Sequence, residues 1–286
     1  LRLFNQDRCS KINLFIANLS LISLLISILS GIVVSYHYFY TDPLYSVIRL
    51  EATVPFGRFF RNLHYFSSQI TLVSTFFHMI DSLLKGWHHR KNFISWFFLV
   101  ISFVVLLFLV FTGYVIRFDE VGKLAGNIAE NLCLSIPWIG SFLRDLIFPI
   151  SKGGLYRVYL AHIYGSFLLA IGLFVWHTSL KRIFSLAYVP YLYLNLILSL
   201  FLYMPLETEK GKFLVTGPWF FLGAQGLLKF FPPLSVLGFL FLALILVIFL
   251  GFKPLRRFNP WMMIILILWS MVYLIFSLLI YRDANF

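Results

Sequence analysis

The stretch RFFRNLHYFSSQITLVSTFFHMIDSLL (residues 58–84) carries His64 and His78, and YRVYLAHIYGSFLLAIGLFVWHTSL (residues 156–180) carries His162 and His177. In an α-helix, spacings of 14 and 15 residues turn through about 1400° and 1500°, so each pair keeps roughly one face while separating along the axis by about 21 to 23 Å. That is most of a hydrocarbon core about 30 Å thick. Two such helices facing one another present one histidine pair near each membrane surface. This is the ligand set of two stacked six-coordinate haems with bis-imidazole axial bonds, and it predicts a chain that carries electrons across a membrane.

Composition agrees with a membrane location. The 286 residues are 60% hydrophobic, 20% aromatic and 12% charged, with mean hydropathy +0.90, far from a soluble average. At about 20 residues per span, seven spans fit, near 12–36, 58–84, 93–116, 156–180, 186–204, 234–252 and 261–281. Between them, 37–57 reads as a surface connection with a short amphipathic piece. Residues 117–155 mix charge with apolar residues at helical spacing, which predicts short helices lying in the interface. Residues 205–233 return to polar and turn residues around an aromatic, helix-like piece. No repeats or low-complexity tracts are present. The fold class that follows is an all-α integral membrane protein.

The net charge of +12 is an orientation signal and not a nucleic-acid patch. Sorted over seven spans, the loops on the N-terminal side carry +9 and those on the other side +3. Lys and Arg accumulate on the cytoplasmic side, so the N-terminus is expected to face the negative side. No cleavable signal peptide is evident, and a first residue Leu1 in place of Met points to a start further upstream. Cys9 and Cys133 form no Cys-x-x-Cys or Cys-x-x-Cys-His pattern, so both are expected to be free thiols.

Several residues admit two readings. A single histidine in a span is commonly a packing residue, but ionisable groups at membrane depth are expensive, and four at matched spacing favour ligation. A tetrahedral zinc site would need its ligands in one small cluster, which residues 14 or 15 apart on a helix cannot form. Gly31, inside the first span, serves either close helix packing or room for a flat macrocycle. Arg61 is either a snorkelling interfacial residue or a contact to a cofactor carboxylate. Asp81 stands four residues before Lys85, so it is either a helix-end ion pair or a proton relay. His88 and His89, adjacent in a basic turn, read as solvated or headgroup contacts.

These residues and their flanks resemble the cytochrome b/b6 family, the di-haem core of quinol–cytochrome c or plastocyanin oxidoreductases, over most of the chain. Arg61 stands three before His64 and Arg157 five before His162, as the family's arginines do near the haem on the positive side. Phe111-Thr112-Gly113-Tyr114-Val115 is similar to the end of the family's third helix, and Ile136-Pro137-Trp138-Ile139-Gly140 to its I-P-x-I-G turn. The resemblance implies a di-haem four-helix domain over 1–183 and a three-helix domain over 184–286, like b6 fused to its partner subunit. It implies two haems b, one held by His64 and His162 and one by His78 and His177, with Arg61, Arg157 and Gly31 at the cofactor. Tyr114, Pro137, Trp219 and Phe220, with Phe111, would border a positive-side quinone pocket, and Asp81 would lie at a negative-side one. Menaquinone is a candidate quinone.

The chain also departs from the family. Gly217-Pro218-Trp219-Phe220 stands where Pro-Glu-Trp-Tyr is usual, so the carboxylate that accepts a proton from quinol and a tyrosine hydroxyl are both absent. Asp119, Glu120, Glu207 and Glu209 are alternative proton carriers. Leu99 replaces a glycine beside the haem, and Phe118 a tryptophan. The expected function is electron transfer between a quinone pool and c-type cytochrome, including multihaem cytochrome, or a Rieske iron–sulfur subunit. This would occur within a multi-subunit, dimeric complex of a bacterial cytoplasmic, energy-transducing membrane. The alternatives are a quinone-reactive anchor for a multihaem complex without bifurcation, and a haem-free transporter or structural subunit.

Overall fold

The structure, a computed structural model, describes residues 2–86, 93–177, 188–208 and 215–285. Among these residues it contains no strand and eleven α-helices. They are α1 (Arg2–Tyr36), α2 (Pro43–Thr53), α3 (Gly57–Leu84), α4 (Phe93–Arg117), α5 (Glu120–Leu134) and α6 (Gly140–Ile147). They continue as α7 (Leu155–His177), α8 (Val189–Phe201), α9 (Leu222–Leu228), α10 (Pro233–Leu250) and α11 (Asn259–Asn285). Proline opens α2, α8 and α10 in the first turn, where its missing N–H has no intrahelical partner to lose. The interfacial helices expected in 117–155 are α5 and α6, and the amphipathic piece in 37–57 is α2.

Among the described residues, four segments are both long and apolar enough to cross a membrane: Asn13–Tyr36, Phe93–Arg117, Pro233–Leu250 and Lys253–Asp283. The sequence predicts seven; the other three fall on α3, α7 and α8, and the expected spans 156–180 and 186–204 both run into residues outside the described ones. Helix α3 has 28 residues but is rich in Ser, Thr, Asn and Gln. Helix α8 has 13 residues, about 20 Å of rise, which is short of the hydrocarbon thickness.

The chain forms two compact units. The first comprises residues 1–87, 101–110 and 163–205, and the second 88–100, 111–162 and 206–286. In the first unit α1 and α3 pack along their length through small polar residues. Ser23 and Ser67 are wholly buried, as are Thr71 and Ser30 to within 2%. The hydroxyls of Ser20 and Thr75 meet at 2.5 Å, and Asn195 of α8 donates to Ser23 Oγ at 2.9 Å. Leu14, Leu29 and Phe77 are turned outward. Lipid is as apolar as leucine, so close backbone approach and interhelical hydrogen bonds hold such helices together.

In the second unit Ala224 and Leu227 of α9 and Val236 of α10 form a core with Tyr273 and Phe276 of α11. A Cβ on Gly226 would come within 2.6 Å of Phe276 O, so glycine is what permits that approach. Trp269 Nε1 donates to Phe239 O at 2.7 Å, and Trp96 Nε1 to Val247 O at 2.8 Å.

Candidate functional site

In the first unit His64 projects from α3 onto α1. Its Nδ1 lies 2.8 Å from Ser27 O. A carbonyl oxygen can only accept, so Nδ1 carries the proton and the lone pair of the neutral ring is on Nε2, the form that ligates iron. The ring lies against Gly31, where a Cβ would stand 2.8 Å from Cε1 and 2.9 Å from Nδ1.

The second unit repeats this construction. His162 of α7 has its Nδ1 3.0 Å from Thr112 Oγ1 on α4, and a Cβ on Gly113 would stand 3.3 Å from His162 Cε1. In each case a neighbouring helix supplies an oxygen for Nδ1 and a glycine beneath the ring. Ser27, Thr112 and Gly113 were not singled out as ring partners by the sequence; a small residue within a turn of a polar one was the available signal.

These distances set a graded expectation. Gly31→Ala must displace the His64 ring, because no real Cβ sits below 3.0 Å, and should cost about 1–3 kcal/mol. Gly113→Ala should cost less, and Gly172→Ala, which meets nothing within 4 Å, should be silent. Visible spectra and denaturant midpoints of the three variants would check the order.

His78 lies about three-quarters of the way along α3, half-buried, and Ser82 Oγ donates to its carbonyl at 2.8 Å. His177 is the last residue of α7; its side chain falls outside the described residues, as do the Cys9 side chain, Glu209, and His88 and His89. Arg61 is buried, ion-paired with Glu51 of α2, and donates to Met204 O at 2.9 Å. Tyr203 donates to the other Glu51 oxygen at 3.1 Å. The charge of Arg61 therefore has a carboxylate partner that the sequence did not identify. Arg157 is exposed, with no ion pair among the described residues. Asp81 pairs with Lys85 at 2.5 Å, as its i,i+4 spacing predicts, and accepts from Asn13 of α1.

The residues expected at a positive-side pocket are only partly brought together. Phe111 packs against Phe148 and Phe221 at 6.0 and 5.0 Å between ring centroids. Tyr114, which is buried, meets Phe220 at 6.1 Å, and Trp219 stands edge-on to Phe220. The turn before them is closed by Gly217 N donating to Gln225 Oε1 at 2.8 Å. Pro137 lies on an exposed turn beside the fully exposed Trp138 and has no described contact with this aromatic corner. Of the alternative proton carriers, Glu120 pairs with Lys123 at 2.9 Å. Asp119 is wholly buried and accepts from Gly122 N and Glu207 N at 3.0 Å each.

Residues 6–184 match the family model described as Cytochrome b/b6/petB. The chain belongs to the cytochrome b/b6 family. It is similar to the cytochrome b of Trichophyton rubrum, 28% identical over 51% of this chain and 39% of that protein. With the menaquinol:cytochrome c reductase cytochrome b subunit of Geobacillus thermodenitrificans it shares 27% over 43% of this chain and 55% of that protein. With the cytochrome b6 of Heliobacterium modesticaldum it shares 25% over 60% and 84%. The chain thus spans only part of the first two relatives. Among solved structures, a chain of a hyperthermophilic respiratory Complex III has a TM-score of 0.66 at 16% identity, over 94% of this chain and 89% of that one. That likeness is one of fold.

Family membership and the four apolar segments make this cytochrome b/b6-family chain an integral membrane protein. The donor set fits haem: in each unit an imidazole has an oxygen of a neighbouring helix at Nδ1 and a glycine beside the ring, where a larger residue would fill the ring's place. Cys133, a half-buried free thiol, has its pKa pushed up by burial and then by the Glu130 charge. It is not suited to act as a thiolate ligand.

Proposed function

We propose that this chain is the electron-transferring di-haem membrane subunit of a quinol:cytochrome c oxidoreductase-type complex. The observation that carries the reading is the repeated imidazole-over-glycine construction at His64 and His162. Bound haem supplies one-electron redox chemistry. His64 and His162 hold one group, and His78 and His177 the other, so the spacing along α3 and α7 sets their separation across the membrane. Ser27 O and Thr112 Oγ1 fix the rings and raise their basicity. Arg61, compensated by Glu51, and Arg157 would supply positive charge to the carboxylates of the group held by His64. Tyr114, Phe220 and Trp219 form the wall of a positive-side quinone site, with menaquinone as the candidate, and Asp81 with Lys85 serves the negative side.

Residues 1–183 make up the di-haem domain and 184–286 the three-helix domain. The N-terminus faces the negative side of a bacterial cytoplasmic membrane. Partners are c-type cytochrome, including multihaem forms, or a Rieske subunit, in a dimeric assembly. A pyridine haemochrome assay should give two haems b per chain, and fewer than one would remove the reading.

The Gly217-Pro218-Trp219-Phe220 turn favours a second form of this function, one-way electron transfer without bifurcation. Its Gly217 N–H is closed on Gln225 and it offers no carboxylate to take a proton. Co-purification of multihaem cytochrome without a Rieske protein supports this form, and a Rieske partner argues for bifurcation.

A further inference from the structure

Arg117 ends α4 as a buried cation, 8% exposed, and its Cζ lies 5.1 Å from the centre of the Tyr114 ring. Its Nη2 is 2.7 Å from Asp119 Oδ2, but off the line of a hydrogen bond. Among the described residues neither Nη2 nor Nε has an aligned acceptor. Asp119 cannot improve on this by turning, because Gly122 N and Glu207 N hold its two oxygens. The intervening Phe118 is in the left-handed region at φ 57°, a conformation costly for a side chain of its size. The turn therefore fixes cation and carboxylate in place with N–H groups of the guanidinium left unused. A buried donor without an acceptor is costly.

Charge decides what those N–H groups accept. Arg117 and Asp119 together are neutral, so an anion would leave a buried net negative charge, which is strongly unfavourable. A neutral acceptor leaves none. Beside it stand the faces and edges of Tyr114 and Phe220, suited to a flat ring. We propose that Arg117 is the polar anchor of the aromatic corner, donating through its guanidinium to a carbonyl oxygen of a bound quinone. This rests on the quinone site proposed above and adds the residue that grips the ring oxygen.

The test uses the full chain in nanodiscs and 2,3-dimethyl-1,4-naphthoquinone as probe, read by quenching of tryptophan fluorescence, with haem spectra as the check on folding. Arg117→Lys keeps the cation and its pairing but loses the planar fork. Binding should weaken by about ten- to a hundredfold, the scale of one hydrogen bond to a charged group. Unchanged affinity would overturn the anchor while leaving the quinone site standing. No binding by the wild type would remove both.

A second reading covers a variant that fails to fold. In the wild type, infrared spectra of the carbonyl-labelled probe should show one C=O stretch lowered on binding. The shift should vanish in the neutral pair Arg117→Gln/Asp119→Asn. Two unshifted carbonyls in the wild type would overturn the proposal.

Discussion

His64→Ala is expected to remove one of two haems b completely, halving the haem-to-protein ratio and leaving the other haem's reduced-minus-oxidised band intact. The ring is held on two sides, by Ser27 O at 2.8 Å and by the Gly31 backbone, and alanine offers iron no ligand in its place. His162→Ala should remove the same haem and His78→Ala the other. The double variant His64→Ala/His162→Ala should lose no more than either single one, because residues that act as a unit are non-additive. Visible spectroscopy with haem quantitation decides this. If His64→Ala and His162→Ala remove different haems, the pairing of ligands is wrong even though both residues bind iron.

Glu51→Ala should be the most destabilising change away from the histidines, by about 3–5 kcal/mol, because it leaves a buried guanidinium without its carboxylate. Both side chains are about one-tenth exposed, so water can offset little of the loss. Met204 O remains as an acceptor but carries no full charge. Glu51→Gln should cost less, and Glu51→Leu/Arg61→Met, which removes both charges, should recover most of the stability. Denaturation in mixed micelles, followed by circular dichroism, would rank the three. Helix α2 should be affected first, since this pair ties it to α3 and to the segment after α8. Arg61 also stands three residues before His64, on the same helical face. In Glu51→Gln its uncompensated charge should therefore raise the midpoint potential of the His64 haem. A spectroelectrochemical titration that finds both haem potentials unmoved would argue that Glu51 has no electrostatic influence on the site.

Much of the secondary structure was legible in the sequence. The long apolar runs have no interior proline to break them; α3, α4, α10 and α11 begin and end close to the expected positions, α7 begins there, and α1 ends there but begins ten residues earlier, at Arg2. The Asp81–Lys85 pair was legible because both residues lie on one helix, where spacing fixes distance. The seam between α1 and α3 was not. A reading by hydropathy follows Leu, Ile and Phe, and in this unit some of those residues, such as Leu14, Leu29 and Phe77, turn outward while Ser23, Ser30, Ser67 and Thr71 are buried. Of the expected spans, α3 is long but rich in hydroxyl and amide side chains, so hydropathy marks it less clearly than α4 or α10.

By itself the sequence determined that this is a helical membrane chain, which residues are competent to ligate iron, and that the carboxylate of the usual Pro-Glu-Trp-Tyr turn is absent. These follow from residue type and from spacing within single helices. Tertiary structure alone decided that Gly31 and Ser27 cradle His64, that Glu51 neutralises Arg61, and that Arg117 keeps unused donors beside Tyr114. Those contacts join residues from different helices, or across a left-handed turn. Their distances depend on how each helix is rotated about its axis and where small residues let backbones approach, and no periodicity within one helix encodes either.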